Sequence, residues 1–347
     1  MVTTTELHVR RDALGDIHAA THDLAAGPGE VLLHIERFAL TANNMTYAAH
    51  GVDMAYWGFF PAPEGFGIVP VWGFAGVVES HVEGIAAGAR FYGYWPMASH
   101  VVVTPINVSP RGFTDGAAHR NKLPPVYNNY VPASAAFGPE TMQALFRPLY
   151  TTSFVLDVML AEAPAKALVL TSASSKTALG LAQAARGRQR VIGLTSAANR
   201  DFVIATGYYD AVVDYAGIAM LADEAVPVAL VDFSGNGDVR RQVHETLGAL
   251  LIESHVVGDT HWQAANSNAL PGVVPQLFFA PSVIVERIAA WGAEGFESRL
   301  AAAWGGFIAS TGWLRVVEAH GAAAAVAQWQ ALAAGQIDPA EGLVLSL

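Results

Sequence analysis

The sequence contains no cysteine, and that absence removes disulfides, thiol nucleophiles, thiolate zinc sites and iron–sulfur clusters together. Basic residues are scarce as well: 19 Lys and Arg stand against 30 Asp and Glu, giving a formal net charge of −11. Lysine occurs only at Lys122, Lys166 and Lys176. No cluster of them forms the electropositive footprint that nucleic acid or an anionic lipid surface requires, so neither is an expected partner. No charged leader precedes an apolar stretch, and no apolar run reaches the roughly 20 residues of a membrane span. The expectation is a soluble cytoplasmic protein. Histidines are scattered without the H-E-x-x-H spacing of a metal site, and the single H-x-x-x-H, His18 with His22, has no Glu after its first histidine, so no metal is expected. His81, His100, His255 and His261 read as structural or surface residues.

What is present in quantity is apolar: 52% of 347 residues, enough for a large core in a chain long enough to divide into about two domains. The first part has strand texture in "GEVLLHIERFAL", "GFAGVVESHVEGI" and "ARFYGYWPMASHVVVTP". From about residue 138 helical spacing takes over in "PETMQALFRPLYTTSFVLDVMLAE". Short apolar segments then alternate with helical ones: "KALVLT", "RVIGLT", "DAVVDY", "VALVDF" and "LLIESHVV". Strands of that kind belong to a parallel sheet covered on both faces and built from βαβ units. "PGVVPQLFFAPS" resembles one further strand, and its apolar edge predicts a homodimer.

Between the first strand and first helix of this run stands "TSASSKTALGLAQ", where a dinucleotide-binding chain carries its glycine fingerprint. Here Ala173, Ser175 and Ala178 reproduce the G-x-G-x-x-G spacing with small side chains instead. The hydroxyls of Ser172, Ser174, Ser175 and Thr177, with Lys176, suit either a helix cap or a pyrophosphate at a helix N-terminus. A bulky residue at Ala178 is expected to block the cofactor while leaving the fold intact. The second strand runs into "GLTSAANRDF" and ends without the acid that accepts from ribose hydroxyls. Thr195, Ser196 and Asn199 offer hydrogen bonds. Arg200 offers a fork for a 2′-phosphate unless it is simply a solvated helix residue, so NADP(H) is the expected cofactor.

The order of these segments, with "TGYYDAVVDY", "VALVDFSGN" and the closing "GQIDPAEGLVLSL", resembles the medium-chain dehydrogenase/reductase superfamily over nearly the whole chain. It is most similar to the zinc-independent quinone and enoyl reductase branch. "LTANNMTYA" and "FFAPSVIVERIAAWG" match a bacterial family within it that has no assigned function. The resemblance implies an α/β fold in which a GroES-like, β-rich catalytic domain (1–137) is interrupted by a Rossmann domain (138–284) and resumed at 285–347. The sequence departs from that pattern in its Ala/Ser fingerprint, its missing zinc ligands and its linker "YNNYVPASAAFGP".

Related reductases place polar active-site residues after a strand of the first domain, where this chain has Thr41, Asn43, Asn44, Tyr47 and Tyr56. Thr41, Asn44, Tyr47 and Tyr56 are therefore the catalytic candidates, an amide or phenol donating to a carbonyl oxygen. Lys122 with "YNNY" at 127–130 is a second polar cluster, and equally a turn signal. Ser234 and Asn236 end the fourth Rossmann strand, on the edge where the nicotinamide ribose lies. Two functions follow: an NADPH-dependent reductase acting on a small activated alkene, enone, quinone, acyl thioester or ketone, or a non-catalytic descendant that keeps the fold for dinucleotide binding or scaffolding.

Overall fold

Strands rich in β-branched and aromatic residues, several of them buried along most of their length, build the first part of the chain. Its elements are β1 (Val2–Arg10), β2 (Ala13–Leu24), β3 (Val31–Leu40), α1 (Ala42–Ala49), β4 (Phe66–Gly67), β5 (Pro70–Ser80), β6 (Arg90–Pro96), β7 (His100–Val103), β8 (Pro105–Ser109), β9 (Gly112–Asp115) and β10 (Asn129–Pro132). A computed structural model describes residues 1–257 and 270–347, so His261 lies outside the described residues. Next come α2 (Glu140–Glu162), β11 (Ala167–Leu170), α3 (Lys176–Ala185), β12 (Arg190–Thr195), α4 (Arg200–Thr206), β13 (Ala211–Asp214), β14 (Val228–Asp232), α5 (Gly237–Leu247), β15 (Leu251–Val256) and β16 (Gln276–Leu277). The chain closes with α6 (Ala280–Trp291), α7 (Ala293–Ser310), β17 (Arg315–His320), α8 (Ala322–Ala333) and β18 (Glu341–Ser346).

Two compact units result: residues 1–145 with 315–347, and residues 146–314. In the first, β2, β1 and β4 form one sheet, and a larger sheet runs β17-β18-β3-β5-β6-β10-β9-β8 with β7 also paired to β3. The returning segment is stitched in by β18, antiparallel to β3 with Leu343 opposite Leu40. Trp329 of α8 is fully buried, and its indole donates to the Leu14 carbonyl at 2.7 Å.

The second unit is a six-stranded sheet in the order β13-β12-β11-β14-β15-β16, parallel at every pairing. All four residues of β11 are 0% exposed, as continuous apolar strands covered on both faces must be. Strand order reverses at β11, so its carboxyl end is the topological switch point at which sheets of this kind bind ligands. "PGVVPQLFFAPS" contributes only the two-residue β16 before α6 begins.

The units divide at 145 and 315, whereas sequence texture changes near 138 and the resemblance implies a return at 285. Residues 280–314 stay in the second unit because Phe307 stacks on Tyr150 with ring centroids 4.6 Å apart and the Tyr150 hydroxyl donates to the Ala303 carbonyl at 2.9 Å. Helix α2 is long and apolar enough to meet a length-and-composition test for a membrane span, which the sequence reading granted to no stretch. Leu145, Phe146, Val155, Leu156 and Leu160 are nevertheless 0% exposed on it, the pattern of a core helix.

Candidate functional site

In the second unit, β11 ends at Leu170 and the chain turns through residues 171–175 into α3. Ser172 has φ 49°, in the left-handed region where glycine is the usual occupant. Its backbone amide donates to the Tyr215 hydroxyl at 3.0 Å, and the Tyr209 hydroxyl donates to the carbonyl of Ala173 at 2.8 Å. Ser175 is the N-cap of α3, accepting from the Ala178 amide at 3.3 Å, which settles its cap role. Asn199 donates to the Ser174 hydroxyl at 3.1 Å, joining the end of β12 to the turn.

Small residues are required here. A Cβ at Gly193 of β12 would stand 2.9 Å from the Ala173 Cβ, so the turn lies close against the neighbouring strand. Ala173 and Ala178 are both 0% exposed. Ala178 therefore packs inside the protein, and a bulky replacement would overpack the interior instead of selectively blocking a ligand, contrary to the sequence expectation. Ser172, Ser174, Ser175, Lys176 and Thr177 are half-buried, leaving a rim of hydroxyls and one ammonium group around the first turn of α3. That turn also carries backbone N–H groups at the positive end of the helix dipole. The arrangement is suited to an anion.

At the end of β12, Thr195 is only 1% exposed and its hydroxyl is not open to a ligand, which corrects its sequence assignment. Ser196 is half-buried, and Arg200 is exposed at the start of α4 with no ion pair among the described residues. Two further assignments change. Ser234 is 0% exposed, its hydroxyl donating to Asp232 at 2.7 Å, and Asn236 caps α5 by accepting from the amides of Asp238 and Val239. Both are spent on holding the β14–α5 turn.

In the first unit, the catalytic candidates separate. Asn44 is 3% exposed; its Oδ1 accepts from the Thr41 amide at 2.8 Å and its Nδ2 donates to the Pro70 carbonyl at 2.9 Å. The Asn44 side chain is thus engaged in capping α1 and anchoring it to β5, while Thr41 is the half-buried N-cap residue of that helix. Tyr47 and Tyr56 do come together, with ring centroids 4.6 Å apart. Tyr127 joins them, its hydroxyl 3.4 Å from that of Tyr56, and Tyr94 lies against Tyr127 at 4.7 Å between ring centroids. The Tyr47 hydroxyl accepts from the Trp72 indole at 3.2 Å, and Asn43 stands one turn before it on α1. Lys122 is exposed and takes no part, while Tyr130 is 1% exposed and bonded to Arg120 at 2.9 Å.

Burial pushes the hydroxyls of Tyr47, Tyr56, Tyr94 and Tyr127 above the usual tyrosine range, so at neutral pH each is a hydrogen-bond donor and none is a phenolate. Sequence reasoning missed Tyr94 and Trp72. The signal was the alternation in "FYGYWP", which sets Tyr92 and Tyr94 on one face of β6, with Trp72 directly opposite Tyr94 on β5. It also passed over Tyr209 and Tyr215. His81, His100 and His255 each have a local partner, Glu79, Ser99 and Glu253 respectively.

Solved structures share this fold over essentially their whole length. A Bacillus thuringiensis protein assigned as an NADPH:quinone reductase is 12% identical, with 100% of each chain covered and a TM-score of 0.65. CurA from Vibrio vulnificus in complex with NADPH is 15% identical, with 99% of each chain covered and a TM-score of 0.64. The mitochondrial 2-enoyl thioester reductase Etr1p/Etr2p heterodimer from Candida tropicalis is 12% identical, with 100% of each chain covered and a TM-score of 0.62. The fold is that of the medium-chain dehydrogenase/reductase superfamily, a GroES-like unit interrupted by a Rossmann unit. No curated protein matches the sequence. Residues 38–338 match the family described as "Protein of unknown function (DUF2855)", and the chain belongs to that family.

Proposed function

We propose that this chain is an NADP(H)-dependent, zinc-independent oxidoreductase that reduces an activated C=C or C=O bond of a small molecule, an enone, quinone, acyl thioester or ketone. The observation that carries the reading is the small-residue turn at the switch point of the parallel sheet, followed one strand away by an exposed arginine and no strand-end carboxylate. NADPH-bound relatives of the same fold support the choice of cofactor. The turn fits the group: its buried alanines let it lie close against β12, and Ser172, Ser174, Lys176 and Thr177 are half-buried around the first turn of α3. Ser172, Ser174, Lys176 and Thr177 would hold the pyrophosphate, and Ser196 with Arg200 the 2′-phosphate. When bound, the dinucleotide supplies the hydride.

The first unit's contribution is a hydrogen-bond donor. Tyr56 and Tyr127 pair through their hydroxyls, Tyr127 being half-buried while Tyr47, Tyr56 and Tyr94 are all buried. Either hydroxyl of this pair is of the kind that can donate to an oxygen gaining negative charge in a reduction, and pass its proton on. Tyr47, held by Trp72, fixes the Tyr56 ring by contact. We further propose a cytoplasmic homodimer formed along β16, where Val274 and Leu277 are 77% and 76% exposed at the open edge of the sheet.

The enclosure of Tyr47 and Tyr94 favours one competing reading, a non-catalytic protein that keeps the dinucleotide turn alone. Oxidation of NADPH by purified protein against a panel of enones, quinones, acyl thioesters and aldehydes separates the two. Turnover that falls in Tyr56→Phe supports the reductase. Nucleotide binding with no turnover on any member supports the binding protein.

A further inference from the structure

Tyr209 and Tyr215, which flank the short strand β13, reach the turn 171–175 from below and bond its backbone at two successive residues. Tyr215 accepts from the amide of Ser172 at 3.0 Å, and Tyr209 donates to the carbonyl of Ala173 at 2.8 Å. Ser172 is the residue that needs help. It has φ 49°, which a serine adopts only at a cost that glycine does not bear. The Tyr209 ring is also wedged against the strand behind the turn, since a Cβ on Gly193 would meet it at 2.9 Å. Gly193 thus leaves the space through which Tyr209 reaches Ala173. Burial raises both hydroxyls above the ordinary tyrosine range, so both remain protonated and able to keep these bonds.

We propose that Tyr209 and Tyr215 are positioning residues that lock the glycine-free turn in the shape that receives the pyrophosphate. They replace conformational permission with two specific hydrogen bonds. The role rests on the dinucleotide reading above, and neither tyrosine need touch the nucleotide. In a fingerprint loop glycine makes the left-handed residue affordable in any context. Here the same dihedral depends on side chains more than thirty residues downstream, which couples the turn to β13.

The test uses the full chain as wild type, Tyr215→Phe, Tyr209→Phe, Ser172→Gly and the Ser172→Gly/Tyr215→Phe double variant, with NADPH as the probe. Two readouts are taken: the NADPH dissociation constant, and hydrogen exchange of the turn amides without nucleotide. Each tyrosine variant is expected to exchange faster in the turn alone, and to bind NADPH roughly tenfold more weakly, as loss of one well-made hydrogen bond implies. In the Ser172→Gly background, Tyr215→Phe should cost less than about threefold in affinity against Ser172→Gly alone, because glycine no longer needs the bond to adopt its dihedral. A general packing role would not be rescued in this way.

Unchanged exchange in both tyrosine variants overturns the proposal. So does faster exchange with unchanged affinity, or a loss that glycine does not rescue. If Tyr209→Phe fails to fold, the Tyr215 series decides alone. Failure of wild type itself to bind NADPH overturns the dinucleotide reading and this role with it, and is told apart from failure of the lock because it is seen before any substitution.

Discussion

Arg240 Nη1 stands 2.9 Å from Asp232 Oδ2, an ion pair whose carboxylate is fully buried at the end of β14. The other carboxylate oxygen accepts from Thr171 Oγ1 at 2.6 Å and from the amides of Ser234 and Gly235. One acid therefore ties the ends of β11 and β14, the strands that meet at the switch point. Its partners are charged or strongly polarised, so leaving any of them unpaired is costly. Asp232→Ala is expected to lower unfolding stability by about 3–5 kcal/mol in urea titration, the range for breaking a buried pair. A loss below about 1 kcal/mol, the scale of an exposed ion pair, would mean the knot is not structural.

Cofactor choice rests on Arg200. A hydrogen bond from guanidinium to phosphate contributes about 1.5–3 kcal/mol, roughly ten- to hundredfold in affinity. Arg200→Ala should weaken NADPH binding by about that factor at most, less to the extent that the side chain is solvated, and leave NADH unchanged. Lys176→Ala, at the start of α3, should weaken both nucleotides alike. Dissociation constants for both nucleotides with both variants check this, and equal loss of NADH and NADPH in the arginine variant contradicts it.

The buried tyrosines set an alkaline limit. Burial first, with Asp115 acting the same way against Arg120, pushes Tyr130 up to about 12. A group whose folded value is raised keeps its full contribution below the unfolded value near 10 and loses it as pH rises toward the folded one. Stability of the chain should therefore hold to about pH 10 and fall between about 10 and 12, with tyrosinate absorbance rising in the same window. Tyrosinate absorbance that rises fully before pH reaches about 10 would contradict the burial of this cluster.

The sheet edge predicts association. Replacing Leu277 by arginine, at a position 76% exposed, should shift the mass by light scattering from two copies to one without lowering the midpoint of thermal unfolding of the single chain. Wild type that is already monomeric at micromolar concentration would contradict the dimer.

The parallel sheet was legible because a strand covered on both faces must be apolar along its middle, and "ALVL", "RVIGLT" and "VALVD" carry polar residues only at their ends. The turn was legible for the same reason in reverse: only small residues fit between α3 and β12. The polar site residues were harder. Thr41 and Asn44 have the composition of an active site and of a helix cap equally, and only the Thr41 amide's bond to Asn44 Oδ1 decides for the cap. Ser234 was misread because a strand end facing a cofactor and a strand end folded over a buried acid look alike in sequence. Tyr94 and Trp72 meet Tyr47 across strands separated by loops of unknown course, so their convergence depends on register that residue type does not carry.

The central claim, that the turn 171–175 and Arg200 hold a phosphorylated dinucleotide, is tested most directly by titrating the purified chain with NADPH and following quenching of its eight tryptophans alongside thermal unfolding. Saturable quenching with a rise in unfolding temperature, both weaker with NADH, is the predicted result. No quenching and no thermal shift at millimolar NADPH would contradict it.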